Sequence, residues 1–321
     1  MAEKSLLQLK NSYQNLKTDS SLNESVFLLN EEKLIYLIYN NIEDFRRRRT
    51  PMTPIPFKAV AVDMDGTFED DNKQFDHHRF EQVLTKLREQ KVHFIVSSGR
   101  PLSRLRQDFF DFLDRIDIIA DNGSILTKDN QVIARHVFTY KTGIKLINFI
   151  QTNYPEVEMV ASGLDSAYLN KRASTNFKKL MHFFYPNIDE IANLLDLPTS
   201  DSLTKLTLSC SSELANEIEK KFNADNTERI HCTTSGFDNI DIMPVNVNKG
   251  QGIKFFLRYF GIEPEELIAF GDGMNDKEMI QLAGYSYAME NGDERLKKIA
   301  KFEAPSNNEM GVLQVLEKYL G

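Results

Sequence analysis

Cysteine is nearly absent from this chain of 321 residues: only Cys210 and Cys232 occur, far apart and without ligand-like spacing. Neither a disulfide framework nor a zinc site is therefore suggested, and a reducing, cytoplasmic location is the expectation. Basic charge is also scarce, with 39 Lys and Arg against 47 Asp and Glu, a net charge of −8. A nucleic-acid partner normally demands a basic face, so none is expected. Long apolar runs are missing too. The stretch Leu34–Tyr39 is far too short to span a bilayer, so no membrane partner is expected, and Leu6, Leu7 and Leu9 lie among polar residues, unlike a secretory signal. What remains is an ordinary globular mixture, 41% hydrophobic and 27% charged, with ample material for a core. Its length suits two domains of roughly 100–200 residues each. Nothing in the composition specifies an oligomeric state.

Residues 1–54 differ in texture from the rest. A helix is plausible over Asn30–Phe45, where Asn30 can cap and Leu34, Leu37, Ile38 and Ile42 form a stripe. Arg46–Arg49 make a basic run read as a solvated helix end, and Pro51, Pro54 and Pro56 read as a linker. No chemistry is assigned to this segment. From Phe57 the pattern becomes strand, helix, strand: an apolar strand Phe57–Val62, a helix Phe80–Gln90, a strand His93–Ser97, a helical stretch Leu102–Leu113 and a strand Asp117–Ala120. The same grammar returns in the helix Gly252–Phe260 ended by Gly261, the strand Leu267–Phe270 and the helix Asn275–Ala283. Such alternation indicates a parallel sheet with crossover helices. Between the halves, a helix Gly143–Gln151, strands Glu158–Ala161, Ser166–Asn170, Lys205–Ser209 and Arg229–Thr233, a helix around Asp189–Leu195 and one capped by Ser211 or Ser212 read as an α+β insert. The expected division is an extension 1–54, a first core part 55–136, an insert 137–238 and a second core part 239–321.

In open parallel α/β sheets, ligands bind at the carboxyl ends of the strands. Here each of these ends carries reactive side chains. Asp63 and Asp65 follow the first strand, and residues i and i+2 of a strand point the same way. Gly66 permits a sharp turn and Thr67 offers a hydroxyl. Ser97-Ser98-Gly99-Arg100 follow the second strand, Asp121-Asn122-Gly123 the third, and Gly271–Asp276 the late one, while Lys249 stands before the helix at Gly252. Asp63, Asp65, Asp272 and Asp276 around a phosphate would repel one another, by about 4 kcal/mol per pair at 4 Å and an effective dielectric of 20. Lys249 alone cannot offset that, so a hard divalent cation is required, and all-oxygen ligation favours magnesium.

These motifs resemble the haloacid dehalogenase superfamily of phosphatases, in its Cof-type branch with a large cap between the second and third motifs. The resemblance rests on DMDGT at Asp63–Thr67, SSGR at Ser97–Arg100, Lys249 in NKG and GDGMND at Gly271–Asp276, and it covers about residues 57–321. It implies a Rossmann-like three-layer α/β core with a parallel sheet and an inserted α+β cap domain. By the same resemblance, Asp63 would be the nucleophile that becomes an aspartyl-phosphate, and Asp65 would protonate the leaving alcohol and then deprotonate water. Ser98, Lys249, Gly66, Gly99, Asn122 and Asn275 would form the phosphate site. Magnesium (Mg2+) would be held by Asp63, Asp65 through its main-chain carbonyl, Asp272 and Asp276. Ser98 stands where threonine is common and keeps the hydroxyl; Asn291-Gly292 replaces a commoner Asn-Ala.

Each carboxylate alone could be a turn former or a helix-end acid, and the histidines, His77, His78 and His182 among them, read as surface or core residues. The insert's Phe177, Phe183, Phe184 and Tyr185 read as core. The reading that follows is a phosphatase for small phosphate esters, sugar phosphates or cofactor phosphates, with the cap excluding water. A phosphomutase on the same fold and a non-catalytic phosphometabolite sensor are the alternatives. A dehalogenase would have no need of Asp65.

Overall fold

The computed structural model describes residues 55–224, 230–236 and 239–321. The helix expected over Asn30–Phe45 and the Arg46–Arg49 run lie outside the described residues. Within residues 54–321, which form one compact unit, two sheets organise the chain.

The first sheet is built from β1 (Ala59–Val62), β2 (His93–Ser97), β3 (Asp117–Ala120), β4 (Ile125–Lys128) and β5 (Gln131–Arg135). The second takes β6 (Glu158–Gly163), β7 (Ala167–Asn170), β8 (Ile188–Ile191), β9 (Leu203–Ser209), β10 (Ile230–Gly236) and β11 (Asn239–Pro244). The chain then returns to the first sheet with β12 (Leu267–Gly271), β13 (Tyr285–Met289) and β14 (Phe302–Ala304). Among the described residues, the large sheet has eight strands in the order β14-β13-β12-β1-β2-β3-β4-β5. It is parallel from β14 to β3 and ends in the antiparallel hairpin β4-β5.

Alternation along the central strands makes the layers. In β1, Val60 and Val62 enter one core with Phe94 and Val96 of β2, while Ala59, Ala61 and Ile95 enter the core on the opposite face. The first core is closed by the helices His77–Glu89 and Gly311–Leu320, through Phe80, Leu84, Leu87, Leu313 and Leu316. The second is closed by the helices Lys249–Phe260 and Lys277–Leu282, through Ile253, Phe256, Leu257, Met279 and Ile280. Both faces of β1, β2 and β12 are buried, so these strands read as continuous apolar runs, as a covered parallel sheet requires. The three-layer α/β class follows.

The small sheet is mixed, in the order β10-β11-β9-β6-β7-β8. It runs through Pro244, past the expected boundary at 238, because β11 pairs with both β10 and β9. Helices Tyr140–Asn153 and Ser212–Ala224 cover one of its faces through Leu146, Ile147, Ile150, Ala215, Ile218 and Phe222. Where a helix was expected around Asp189–Leu195, the chain instead forms β8 and a 3-10 turn over Leu194–Asp196. Parallel pairing with β7, in register Ala167↔Ile188, satisfies that backbone and overrides its weak helical spacing. The preceding helix Thr175–Phe184 was not foreseen, although Ser174 caps it through the Phe177 N–H and Phe177 and Met181 bury an i, i+4 pair.

Phe80 anchors the first core. Its ring packs against Phe68, Phe75, Phe94, Phe109 and Phe112, with centroids between 4.8 and 6.1 Å away. Truncating it in Phe80→Ala is expected to cost about 3–5 kcal/mol, seen as a lowered midpoint in urea unfolding at unchanged slope. A loss below about 1 kcal/mol would mean that this cluster contributes little.

Candidate active site

The site lies where β1, β2 and β12 end. The Asp63 N–H donates to the Phe270 carbonyl at 3.1 Å and the Ser98 N–H to the Ile119 carbonyl at 2.9 Å, so the sheet ladder itself sets the relative heights of these loops. After Asp63 the chain turns through Gly66, whose φ of +76° suits glycine; a Cβ there would stand 2.6 Å from Asp272 Oδ2. The Gly66 carbonyl accepts from Asn291 Nδ2 at 2.8 Å, which gives the Asn291-Gly292 loop a part in holding the turn. Thr67 Oγ1 donates to Asp272 Oδ1 at 3.2 Å and ties the first loop to the last.

Lys249 is wholly buried at the start of the helix Lys249–Phe260, which Asn248 caps. A cation at a helix N-terminus is poorly placed against the dipole, so its partners must be strong. Its Nζ donates to Asp63 Oδ1 at 2.5 Å and to Asp276 Oδ1 at 2.6 Å. The other Asp276 oxygen accepts the backbone N–H groups of Asp272 and Gly273 at 3.0 and 3.1 Å. Asp63, Asp272 and Asp276 each offer an oxygen within 4.8 Å of the others. Three carboxylates against one ammonium leave an excess of two negative charges, which fits a divalent cation with oxygen ligands. Asp276 already spends both oxygens on the protein, so Asp63 and Asp272 have the freer lone pairs.

Burial pushes Asp63 up to about 6 despite the pull of Lys249. Asp272 rises to about 7, through burial first and then the Asp63 charge, and burial raises Asp276 as well. Lys249 is held charged: burial opposes its proton, but Asp276 and Asp63 outweigh it.

Asp65 belongs to a different set of contacts. Its carboxylate is clamped by Arg100, with Nε at 2.9 Å and Nη2 at 2.7 Å, and by Lys73 Nζ at 2.7 Å. Arg100, only 3% exposed, also donates to Glu69 and Asp108. Burial would raise Asp65, yet Arg100 and Lys73 hold it down to about 2. The carboxylate of Asp65 is thus outside the acidic cluster, which leaves only its main-chain carbonyl for the metal role expected of this residue.

A cleft of about 480 Å³ opens onto Asp63, Asp65, Ser98, Gly99, Asp272 and Asn275. Lys249 and Gly66 lie outside its lining: Lys249 reaches it through Asp63, and Gly66 turns the chain against Asp272. Asn122 turns aside: its Nδ2 donates to Asp241 Oδ2 at 2.7 Å, and its amide packs on Gly99. Phe177 and Tyr185 are buried core residues, as expected, with Phe184 packed against them; Phe184 and Tyr185 also line the cleft, and Phe183 is exposed. Sequence reasoning gave no role to Arg100, Glu69, Lys73, Lys205 or Asp241. Arg100 was visible in the SSGR run; the others carry no local signal.

A family of haloacid dehalogenase-like hydrolases matches residues 60–316. The chain belongs to this family. It is an enzyme, a phosphoric monoester hydrolase, as its four motifs led one to expect. It is 31% identical over 263 residues to a 5-amino-6-(5-phospho-D-ribitylamino)uracil phosphatase of Escherichia coli, with 82% of this chain and 96% of that one covered. A Bacillus subtilis protein named for the same activity is 24% identical over 266 residues, covering 81% of this chain and 96% of its own. Among solved structures, SMU.1108c of Streptococcus mutans UA159 superposes with a TM-score of 0.80 at 35% identity, over 82% of this chain and 99% of that one.

The raised carboxylates set a pH dependence. Without metal, Asp63 and Asp272 hold protons more tightly folded (about 6 and 7) than unfolded (near 4). Their contribution to stability is present in full below about pH 4 and is lost as pH rises through 6 to 7. Metal-free protein is therefore expected to lose melting temperature from about pH 5 to about pH 8. A divalent cation, which binds the deprotonated set, should restore it near pH 8 and do little near pH 5. Equal cation effects at both values would contradict this picture of the cluster.

Proposed function

We propose that this enzyme hydrolyses small phosphorylated metabolites through an aspartyl-phosphate on Asp63, with magnesium as its cation. The observation that carries this reading is the buried Lys249 bridging Asp63 and Asp276 beside Asp272, at the floor of a cleft bounded by Ser98.

The placement of these residues supports the following roles. Ser98 and the adjacent Gly99 bound the place of the phosphoryl group, and Asn275 meets it from the far loop. Lys249 holds the Asp63 carboxylate in one orientation and offsets its charge, which a carboxylate attacking an anion requires. Asp63, the Asp65 carbonyl and Asp272 would hold the cation, with Asp276 fixing the loop that presents Asp272. The cation would supply charge neutralisation between Asp63 and the phosphoryl oxygens. Attack by an Asp63 oxygen forms the new P–O bond as the ester P–O bond breaks, and Asp65 delivers a proton to the departing alkoxide. In the second half, water attacks phosphorus, Asp65 takes its proton, and Asp63 is released with inorganic phosphate. The ion pairs with Arg100 and Lys73 suit Asp65 to the second half. Loading it with a proton for the first half requires those pairs to weaken as substrate enters.

The segment 137–244, which carries the small sheet, would act as the cap that reads the leaving alcohol. Sugar phosphates and cofactor-type phosphates remain the substrate class. A ribityl phosphate ester of the kind named for the Escherichia coli and Bacillus subtilis relatives is a member of it.

The test is phosphate release from a panel of phosphorylated metabolites with and without magnesium. Asp63→Asn should reduce turnover to background. Asp65→Asn should slow it by about 10²–10⁴-fold and accumulate acid-stable phosphoenzyme. Metal-independent turnover, full activity in Asp63→Asn, or an isomerised phosphate product in place of free phosphate would refute the proposal.

A further inference from the structure

One face of the small sheet is apolar and the other is polar where it meets the cleft. In β9, Leu206 and Leu208 enter the apolar core while Lys205 and Thr207 line the cleft. In β11, Ile240 and Ile242 enter that core while Asn239 and Asp241 line the cleft. Asp241 and Thr207 stand opposite each other in the register of β11 and β9. Thr207 Oγ1 donates to Asp241 Oδ1 at 2.6 Å, and Lys205 Nζ donates to Asp241 Oδ2 at 3.3 Å. Lys205 also donates to the Gly99 carbonyl at 2.6 Å, which sets it beside the Ser98-Gly99 turn. Asn239 Oδ1 is buried without a hydrogen-bond partner.

An ammonium in such a cleft suggests a second anion site, but the charge balance opposes that. Lys205 is flanked by two carboxylates, Asp241 at 3.3 Å and Asp121 at 3.8 Å. A second phosphate or a carboxylate would meet more negative than positive charge there. Hydroxyl groups suit the wall better. Each can accept from the Lys205 ammonium and donate to Asp241 or Asn239. A buried polar wall also discriminates against a ligand without hydroxyls, because its own groups are then left unpaired. Met181, Phe184 and Tyr185 add an apolar stretch of lining that suits a ring further along the same molecule.

We propose that Lys205 and Asp241 are specificity-determining residues that bind hydroxyls on the carbon chain of the leaving alcohol. The preferred substrates are then phosphomonoesters of polyhydroxylated alcohols, without a second anionic group near the ester. This rests on the phosphomonoesterase reading above and names the substrate class for the same cleft. Because Gly99 and Asn122 sit on loops of the large sheet, the same contacts also join the two sheets. A purely structural clamp would affect all substrates alike, and that separates the two roles.

The experiment compares kcat/KM for ribitol 5-phosphate and for p-nitrophenyl phosphate, whose leaving group has no aliphatic hydroxyl, in the full-length magnesium-loaded enzyme. The variants are Asp241→Asn and the paired Lys205→Gln/Asp241→Asn, which keeps side-chain volume, removes the Lys205–Asp241 pair together and leaves Asp121 its Thr204 hydroxyl partner. For the pentitol ester, kcat/KM should fall at least about tenfold, mostly through KM. For p-nitrophenyl phosphate it should stay within about threefold of wild type, and so reports that the variants are folded. Parallel losses on both esters, or no loss on either, would overturn the inference while leaving the phosphatase reading intact. A wild-type enzyme that releases phosphate from neither ester would overturn both.

Discussion

The Lys249 ammonium between Asp63 and Asp276 is the contact on which the rest of the site depends. Taking three charged groups out of water is costly, and the cost is offset only if each has well-placed partners. Asp276 finds its partners in the backbone N–H groups of Asp272 and Gly273, so the same residue that fixes Lys249 also shapes the loop presenting Asp272. Removing Lys249 from such a set leaves uncompensated buried carboxylates, at a cost of about 3–5 kcal/mol. The cluster's remaining excess of negative charge gives it a use for a divalent cation, and an anionic substrate gives the cation a use for the cluster. Structure and proposed chemistry thus share one electrostatic requirement.

The two sheets divide the work. The large one sets Asp63, Ser98 and Asp272 at neighbouring strand ends through its parallel ladder. The small one brings a polar face and an aromatic edge to the same cleft. Arg100 links the two aspartates' contrasting states: it keeps Asp65 ionised, while Asp63, two residues earlier, is buried against Lys249 and pushed upward. Residues i and i+2 leave the strand on the same side, yet their partners send them into different electrostatic surroundings.

Much of this was legible in the chain because it is local. Asp63, Ser98 and Asp272 follow short apolar runs directly, so naming the strands names the site. His93–Ser97 and Asp117–Ala120 match the expected strands residue for residue: each opens on a polar residue after an apolar one and stops where the polar loop residues Ser98 and Asp121 begin. Where pairing rather than periodicity decides, the reading failed. β8 contains Asp189 and Glu190 and shows no strong alternation; its parallel partner β7 makes it a strand. β11 alternates clearly from Asn239 to Ile242 but runs directly into the Lys249 motif, and without it the polar face formed with Lys205 is invisible. The clamp on Asp65 is equally non-local: it depends on how the turn after Ser98 aims the Arg100 side chain, with no spacing in the sequence to report it. Histidine spacing and the aromatic cluster of the insert attracted notice, yet only Phe184 and Tyr185 reached the cleft.

The most direct measurement is to quench a single turnover in acid and locate the phosphoryl group by mass spectrometry of the digested enzyme. The result expected is transient phosphorylation confined to the peptide carrying Asp63, appearing before free phosphate and absent in Asp63→Asn. Phosphate release in a single turnover with no phosphoenzyme, or a label on any other residue, would contradict Asp63 as the nucleophile held by Lys249.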